Sequence, residues 1–312
     1  MHVILGSGGA IGQPLATALA GYTDHVRCVS RTAHPLPTSV KTRYEHYAAD
    51  LLDPAAVARA LEGADVAYLT AGLPYRTAVW RRDWPALIDN VLAACAAGGV
   101  RLAFFDNVYA YADSAFAHLT EEAPLAPTSA KGSVRAEVRR RLLGAHAEGR
   151  VRVTVAVAAD FYGPGIDNAV LNEVVVARLA AGKSAQWLGD PDAPHSFTYT
   201  PDAAAHLALL ADDDRAYGHT WHLPTDSSYP SAREATALAA DGLGVAPRLT
   251  TLPRWLWRGL ALVNADLREL YDVRAHVLAP YRLDSSKFEC TFGVAPTPFA
   301  EGLREVCAVA RA

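Results

Sequence analysis

Several residue types that would point to particular protein classes are scarce in this chain of 312 residues. The four cysteines include no CxxC pair, so neither a disulfide framework nor a cysteine zinc site is expected. Among the eleven histidines, His219 and His222 are close neighbours without carboxylate or cysteine company, and we predict no metal site. No apolar run is long enough to cross a bilayer. We expect buried free thiols at Cys28, Cys95, Cys290 and Cys307.

Charge is low and evenly mixed along the chain. The formal net charge is −4, which argues against a nucleic-acid partner and against an anionic membrane as a partner. The first residues resemble a strand rather than a signal peptide, so we expect a cytoplasmic protein. Only four of the 29 basic residues are lysines and alanine is abundant, a bias typical of a GC-rich bacterial genome.

The first twelve residues hold the most informative pattern. A short apolar run, His2–Leu5, ends in a Gly-x-x-Gly-x-x-Gly motif, and a helix-compatible run follows at once. Glycine allows the tight strand-to-helix turn and lets the backbone approach a pyrophosphate, while the N–H groups of the new helix face the anion. The pattern predicts a dinucleotide-binding turn. Its expected contact residues are Gly6, Gly9, Ala10, Ile11 and Gly12.

The first half of the chain alternates strands with helices. Strands are predicted at 26–30, 43–49, 65–70, 101–105 and 151–157, and helices at 81–97 and 130–147. Another helix begins at Asp53-Pro54, where Asp caps the helix and Pro suits its first turn. This order predicts an α/β protein with a Rossmann doubly wound parallel sheet. We expect residues 1–162 to bind the dinucleotide, and 163–312 to form a smaller, mainly substrate-binding lobe with some segments returning to the sheet.

Short motifs spread over nearly the whole chain carry a family resemblance. They are the glycine motif, Asp50-Leu51-Leu52-Asp53, Ala71-Gly72-Leu73, Val108-Tyr109, Tyr162-Gly163-Pro164-Gly165 and the segment 195–202. With these motifs the chain resembles the short-chain dehydrogenase/reductase superfamily in its extended form, which includes the NAD-dependent epimerases and dehydratases. The resemblance implies a bound nicotinamide dinucleotide. It also implies contacts to that cofactor from Asp50, Leu51, Ala71, Gly72 and Leu73.

The catalytic signature of that superfamily is missing. No Tyr-x-x-x-Lys pair occurs anywhere in the chain, and Lys131 and Arg135 stand at the two positions, while Phe105 replaces the upstream Ser or Thr. The resemblance therefore implies an atypical member. Arg135 cannot give up its proton and is predicted to hold ribose hydroxyls or a phosphate of the cofactor, whereas Lys131 can act as an acid or base. Solvated cations on one helix face are the alternative for both residues.

Other acid–base candidates follow the fifth predicted strand. Asp106 and Asn107 match two positions at which related dehydratases carry an acidic pair, so we predict Asp106 as an acid or base with Asn107 as its neutral neighbour. A turn-forming role for Asp106 is an equal alternative. Tyr109 and Tyr111 can replace the missing phenol or simply pack. By resemblance, the substrate pocket is expected to contain Tyr75, Asp160, Tyr162 and His195.

The end of the second predicted strand decides the expected form of the cofactor. An NAD site needs a carboxylate there to bond the ribose 2′-hydroxyl, but the chain has Ser30-Arg31-Thr32. Arginine suits a 2′-phosphate, so Arg31 predicts NADP, with NAD as the alternative. An exposed Arg31 without a ligand is the competing interpretation.

These observations predict an NADP-dependent oxidoreductase that acts on a carbonyl or hydroxyl group of a small organic molecule through a non-standard site. Two alternatives stay open, namely a non-redox lyase, isomerase or cyclase that retains the dinucleotide, and a nucleotide-sensing regulator without catalysis. The run Arg139–Arg141 puts like charges on a helix through which the family often dimerises, so a monomer and a homodimer both stay open.

Overall fold

A computed structural model describes residues 1–166 and 169–311. The strands are β1 His2–Leu5, β2 His25–Ser30, β3 Arg43–Ala48, β4 Val66–Leu69, β5 Arg101–Asn107, β6 Val153–Ala158, β7 Asp160–Tyr162, β8 Ala185–Leu188, β9 Phe197–Tyr199, β10 Thr220–His222 and β11 Leu249–Leu252. The helices are α1 Gly12–Ala18, α2 Pro54–Ala60, α3 Thr77–Gly98, α4 Ala130–Ala147, α5 Ala177–Ala180, α6 Thr200–Asp212, α7 Ala232–Leu243, α8 Arg254–Val263, α9 Ala265–Asp272, α10 Ala275–Leu278, α11 Ser286–Phe292 and α12 Phe299–Arg311. Shorter helical segments cover Leu19–Gly21, Val108–Ala110, Asp113–His118, Asn172–Val176 and Asp214–Ala216.

A seven-stranded sheet in the order β10-β6-β5-β4-β1-β2-β3 organises the fold. Strand β1 pairs in parallel with β2 and with β4, so that Ile4 lies opposite Cys28 on one side and Tyr68 on the other. The pairs β2–β3 and β4–β5 are parallel as well. The strand order reverses at β1, which is the mark of a doubly wound sheet. The predicted Rossmann architecture is confirmed.

Local sequence explains why these segments become buried strands and helices. Every residue of β1, β4 and β6 is buried, as continuous apolar runs require in a parallel sheet that is covered on both faces. Asp53 accepts hydrogen bonds from the backbone N–H groups of Ala55 and Ala56, and Pro54 opens α2. This confirms the predicted cap. The bounds of α4 agree with the prediction, whereas α3 begins four residues earlier than expected, at Thr77.

Contacts divide the chain into two compact units. The first contains Met1–Ala110, Ser133–Val157 and Ala203–Trp221, and the second contains Tyr111–Gly132, Ala158–Asp202 and His222–Ala312. The units are therefore interleaved along the chain, and a single boundary at residue 162 does not describe them. The assignment of dinucleotide binding to 1–162 and of substrate binding to 163–312 stays a prediction.

The second unit has an apolar core of its own. Its centre is a group of aromatic side chains that includes Tyr162, Phe197 and Phe299, packed against the inner face of α7. Two short parallel sheets, β7–β9 and β8–β11, belong to this unit. Within the described ranges, no helix is both long enough and apolar enough to span a membrane.

The cysteines correct one expectation. Cys28, Cys95 and Cys307 are buried free thiols, as predicted, but Cys290 is exposed. It lies on the outer side of α11, a short helix whose buried contact is Phe288. One face of such a surface helix lies in solvent, and a residue on that face is exposed even when its side chain is apolar. In the part of the chain that the structure describes, no group of three or more His, Cys, Asp or Glu residues could hold a metal ion.

Candidate functional site

The glycine turn after β1 depends on close backbone packing in the first unit. Gly6 has a φ of +101°, and a Cβ atom there would lie 2.5 Å from the backbone of Ala71. A Cβ atom on Gly12 would lie 2.4 Å from the carbonyl oxygen of Gly6. Both distances are far below van der Waals contact, so these two glycines are required by the protein itself.

Gly9 differs from its two partners. It is exposed, and the nearest atom to a Cβ placed on it would be the Gly6 carbonyl oxygen at 3.5 Å, an ordinary contact. Packing within the protein therefore does not require glycine at position 9. The following helix α1 has Ile11 at its N-cap and no side-chain cap. An open backbone surface before an uncapped helix fits the close approach of a phosphate group.

The end of β2 contains polar side chains that are largely engaged with one another. The Ser30 hydroxyl donates to the Thr32 carbonyl oxygen at 2.7 Å and lies 3.0 Å from Nε2 of His46. His34 reaches back to the glycine turn, with Nε2 2.8 Å from Oγ of Ser7. Arg31, between these contacts, is exposed to solvent. Its guanidinium is thus available to an anion at this edge of the sheet.

The other predicted cofactor residues lie on loops after β3 and β4. Asp50 is exposed and accepts a hydrogen bond from the backbone N–H of Leu52 at 3.0 Å. Leu51 is buried, with its carbonyl oxygen bound to Asn90. The loop Ala71–Leu73 follows β4 directly, and the contact of Ala71 with Gly6 brings this loop beside the glycine turn.

Asp106, at the end of β5, is held between two arginines. Its Oδ1 accepts from Nε of Arg135 at 2.7 Å, and its Oδ2 accepts from Nε and Nη2 of Arg139 at 3.0 and 2.8 Å. Burial alone would raise the pKa of Asp106, but the two guanidiniums outweigh it and hold that pKa below its ordinary value. The carboxylate is ionised and fully engaged, an arrangement that favours a structural role.

Arg135 is buried as well and packs against aromatic rings. Its guanidinium carbon lies 4.4 Å from the ring centre of Trp84, 4.9 Å from Phe104 and 5.9 Å from Trp80. Cation–π contacts of this kind stabilise a guanidinium away from water. The side chain is 4% exposed, so the solvated cation considered as an alternative is excluded.

Two phenols come together beside this cluster. The hydroxyl oxygens of Tyr75 and Tyr109 are 3.2 Å apart, and Trp80 stacks on the Tyr109 ring at 6.3 Å with an interplanar angle of 27°. Asn107 sets the backbone here, since its Oδ1 accepts from the Tyr109 N–H at 3.1 Å. Tyr109 also contributes to the electrostatic environment of Arg135. Within the first unit, the structure thus groups a phenol pair with a guanidinium.

Lys131 belongs to the second unit, where its side chain has no exposed surface. Its ammonium donates to the carboxylate of Glu269 and, at 2.9 Å, to the Glu269 carbonyl oxygen. The carboxylate of Asp272 accepts from the N–H groups of Ala130 and Lys131, each at 3.0 Å, and so caps α4. Lys131 pairs with Glu269, whereas Arg135, one helical turn further on, pairs with Asp106, so each cation has its own carboxylate partner.

Three of the predicted pocket residues lie in the second unit. Nε2 of His195 lies 2.9 Å from Oδ2 of Asp160, and His276 approaches the other oxygen at 3.7 Å. Burial would raise the pKa of Asp160, but the two histidines lower it overall. Tyr162 is buried in the aromatic core with its hydroxyl donating to the Phe299 carbonyl oxygen at 3.4 Å, and burial raises its pKa.

Sequence reasoning missed the partners of these groups. Glu269 and His276 lie far along the chain from Lys131 and Asp160, in a region where no motif marked them. Tyr111 was considered as a replacement phenol, but its hydroxyl is buried 2.8 Å from Nε2 of His222. Spacing alone could not reveal these pairs, because each joins residues more than a hundred positions or several elements apart.

The expected like-charge face on α4 is also corrected. Arg139 points into the protein toward Asp106, and it is 1% exposed. Arg141 pairs with Asp89 at 2.9 Å and with Glu137 at 2.9 Å. Three consecutive helix residues are about 100° apart and so face different directions. The run therefore gives no reason to exclude a dimer through this helix.

Comparison with known proteins identifies the family. A profile of the NAD dependent epimerase/dehydratase family matches residues 2–223. The chain belongs to this family. This match confirms the predicted resemblance. It also supports the more general expectation of an enzyme fold that binds a nucleotide cofactor.

Individual relatives are distant. The chain is 26% identical over 296 residues to 3beta-hydroxysteroid-dehydrogenase/decarboxylase isoform 2 of Arabidopsis thaliana, in a match that covers 84% of this chain and 51% of that protein. The chain thus spans about half the length of this curated relative.

Solved structures show the same fold at low identity. A double mutant of the dTDP-glucose 4,6-dehydratase from Streptomyces venezuelae, with NAD and DAU bound, has a TM-score of 0.78 at 21% identity, and the match covers 100% of this chain and 97% of the dehydratase chain. The UDP-glucose 4-epimerase of Thermus thermophilus, in complex with NAD, has a TM-score of 0.77 at 17% identity, covering 100% and 99%. At these identities the likeness concerns the fold alone.

Proposed function

We propose that this protein is an NADP-dependent oxidoreductase that acts on a carbonyl or hydroxyl group of a small organic molecule. The observation that carries the proposal is the glycine turn. Protein packing requires Gly6 and Gly12, but does not require glycine at the exposed position 9, which lies just before the uncapped helix α1. A dinucleotide pyrophosphate is the ligand that this family of turns accommodates. When bound, the nicotinamide would supply or accept a hydride.

The choice of NADP rests on Arg31. It is exposed directly after β2, where an NAD site would need a carboxylate. A guanidinium can form charge-assisted hydrogen bonds to a 2′-phosphate, but gains little from a neutral hydroxyl. The named relatives with NAD bound make NAD the alternative for this chain.

Calorimetry with NADPH and NADH tests this choice. We expect tighter binding of NADPH, and Arg31→Ala should reduce that preference by about 1.5–3 kcal/mol, the typical value of a hydrogen bond to a charged group. The matched control is Arg59→Ala, which removes the same charge from an exposed position on α2. Equal affinities in the wild type, or an unchanged preference in Arg31→Ala, would contradict the assignment.

The proposed proton donor is Tyr109. Of the catalytic candidates in the first unit, Asp106 is occupied by two guanidiniums, and Asn107 is a neutral amide bound to the backbone. The Tyr109 hydroxyl can give its proton to an alkoxide as it forms on the substrate. The phenolate left behind would be stabilised by the Tyr75 hydroxyl and by the positive charge of Arg135.

Substitution at Tyr109 tests this role. Tyr109→Phe keeps the ring that stacks on Trp80 and removes the hydroxyl, so turnover should fall about 10²–10⁴-fold with little change in dinucleotide affinity. Tyr75→Phe should have a smaller effect, and Tyr22→Phe, on a half-exposed tyrosine away from the site, should have none. Turnover is followed by transfer of deuterium from [4-²H]NADPH to a panel of aldehydes and ketones. Full activity of Tyr109→Phe would rule out this donor.

The prediction that Lys131 transfers a proton requires its own test, because its ion pair with Glu269 also gives it a structural role. Lys131→Met and Glu269→Gln both break the pair. If Lys131 moves a proton, Lys131→Met loses about 10²–10⁴-fold in rate while Glu269→Gln retains most of it. Equal losses of rate in the two variants, accompanied by equal destabilisation, would show that Lys131 acts only through its ion pair with Glu269.

A second candidate function is a non-redox lyase, isomerase or cyclase. The observation in its favour is that both positions of the usual catalytic pair, Lys131 and Arg135, are occupied by cations in buried ion pairs. Product formation without deuterium transfer from [4-²H]NADPH would support this candidate against the first. Dinucleotide binding without turnover of any substrate would instead support a nucleotide-sensing regulator.

A further inference from the structure

Helix α8 presents a group of large apolar side chains to solvent. Trp255 is 74% exposed, Leu262 is 77% exposed and Val263 is 85% exposed. At 3.6 residues per turn, positions 255, 259, 262 and 263 share one face. The opposite face is packed into the second unit through Trp257 and Ala261. Three strongly exposed apolar residues on a single ten-residue helix are unusual for a protein surface.

The charged residues of α8 itself are all basic. Arg254 and Arg258 are exposed beside the apolar residues, and α8 contains no acidic residue. Of the three acids of the neighbouring helix α9, Glu269 pairs with Lys131 and Asp272 caps α4, whereas Asp266 is exposed, as is the basic Arg268 on the same helix. Helix α8 itself is thus basic in a chain whose formal net charge is −4.

We propose that α8 lies flat on an anionic lipid surface. Trp255 would sit at the level of the headgroups, Leu262 and Val263 would enter the edge of the acyl region, and the two arginines would meet lipid phosphates. The inner face of α8 stays in the fold, because the Trp257 indole N–H donates to the Leu267 carbonyl oxygen at 3.2 Å. The helix therefore binds in the plane of the surface and does not cross it.

A lipid surface fits better than a second copy of this chain. A symmetric contact through α8 would bring four arginines together without any acid of that helix to neutralise them. Three side chains also offer far less than the roughly 1,200 Å² or more that stable protein interfaces bury. The net charge of −4, which argues against an anionic membrane as a partner, is that of the whole chain. Binding to a lipid surface depends instead on the local charge of α8. The proposal does not depend on the cofactor or the reaction.

Co-sedimentation with lipid vesicles tests the proposal. The full chain is mixed with vesicles of phosphatidylcholine alone, or with vesicles in which about one-third of the lipid is phosphatidylglycerol, which is anionic. We expect binding to the anionic vesicles alone, weakened by salt. Arg254→Gln and Arg258→Gln should each lower the partition coefficient about fivefold. Trp255→Ser combined with Leu262→Ser should lower it at least about tenfold.

Two controls keep the test decisive. Val309→Ser removes an exposed apolar side chain from α12 and should leave vesicle binding unchanged. Circular dichroism should show that all variants keep the fold, because each changed residue is exposed. Absence of binding to anionic vesicles, or binding that the α8 variants do not weaken, would overturn the proposal. So would a dimer in solution that Trp255→Ser dissociates, because a second copy would then cover this face.

Discussion

Substitution of Gly9 separates the folding role of the glycine turn from its binding role. Gly9 has an ordinary φ, and the nearest neighbour of an added Cβ would be 3.5 Å away. Gly9→Ala should therefore fold normally and gain up to about 0.4–1 kcal/mol from the smaller entropy of the unfolded chain. Gly9→Val adds two further methyl groups at this exposed position and should also fold. Both side chains would occupy the position proposed for the pyrophosphate.

The magnitude follows from ligand linkage. A dinucleotide present at about one hundred times its dissociation constant stabilises the folded wild type by about 2.7 kcal/mol. Gly9→Val should lose this stabilisation, which corresponds to a loss in affinity of at least about 100-fold. The assay is urea denaturation with and without NADPH, together with titration of NADPH fluorescence. The control is Gly12→Ala, whose Cβ would lie 2.4 Å from a backbone oxygen.

The two variants should give opposite results. Gly12→Ala should lower the free energy of unfolding without ligand by about 1–3 kcal/mol, because backbone must move to admit the methyl group. Gly9→Val should leave that free energy within about 1 kcal/mol of wild type and lose only the response to NADPH. Retained binding in Gly9→Val would mean that the glycine motif forms a turn and nothing more, and the proposed position of the pyrophosphate at Gly9 would be refuted.

Three further predictions concern buried groups. Asp106→Asn leaves two buried guanidiniums without a counter-charge and should lower the free energy of unfolding by about 3–5 kcal/mol, whereas Asp89→Asn, at a surface ion pair, should change it by less than about 1 kcal/mol. Burial, aided by nearby positive charge, lowers the pKa of His2 to about 4, so the unfolded chain takes up its proton first as the pH falls. The contribution of His2 to the free energy of unfolding should thus be fully present above about pH 6.5, and that free energy should decrease by up to about 3 kcal/mol towards about pH 4. In urea titrations, His2→Gln should show a smaller decrease over the same pH range. An equal decrease in the variant would contradict the assignment to His2. Iodoacetamide should modify Cys290 in the folded protein, whereas Cys28, whose pKa burial raises to about 11, should react only after unfolding; mass spectrometry of the intact chain counts the adducts.

The parts of the fold that were predicted correctly depend on local signals. The cap at Asp53, the glycine turn after β1 and the bounds of α4 can be found within a few residues, because each is decided by backbone hydrogen bonds and side-chain size nearby. The strand order needed one further rule, that parallel strands joined by helices are wound in a fixed hand. These rules were sufficient for the Rossmann sheet.

The candidate site was less predictable, because its groups are controlled by distant partners. The charge of Asp106 is balanced by Arg139, which the sequence places in a run of three arginines on a helix. The rotation of about 100° between successive helix residues determines which of the three arginines faces the core. Segment 111–132 joins the second unit for a similar reason, since its contacts lie with residues from 222 onwards. Neither outcome has a local signature.

The three buried cations of α4 change how activity losses on this helix must be interpreted. Lys131, Arg135 and Arg139 are spaced by four residues, and each is held by a carboxylate of Glu269 or Asp106. Removal of one member of a buried ion pair typically costs about 3–5 kcal/mol, a large part of the total stability of a domain. A variant at any of these positions can therefore lose activity by unfolding, without any role in proton transfer. The phenol of Tyr109 is half-buried and hydrogen-bonded to a second neutral phenol, so its removal changes the chemistry with a smaller change in stability and discriminates best between the proposed reactions.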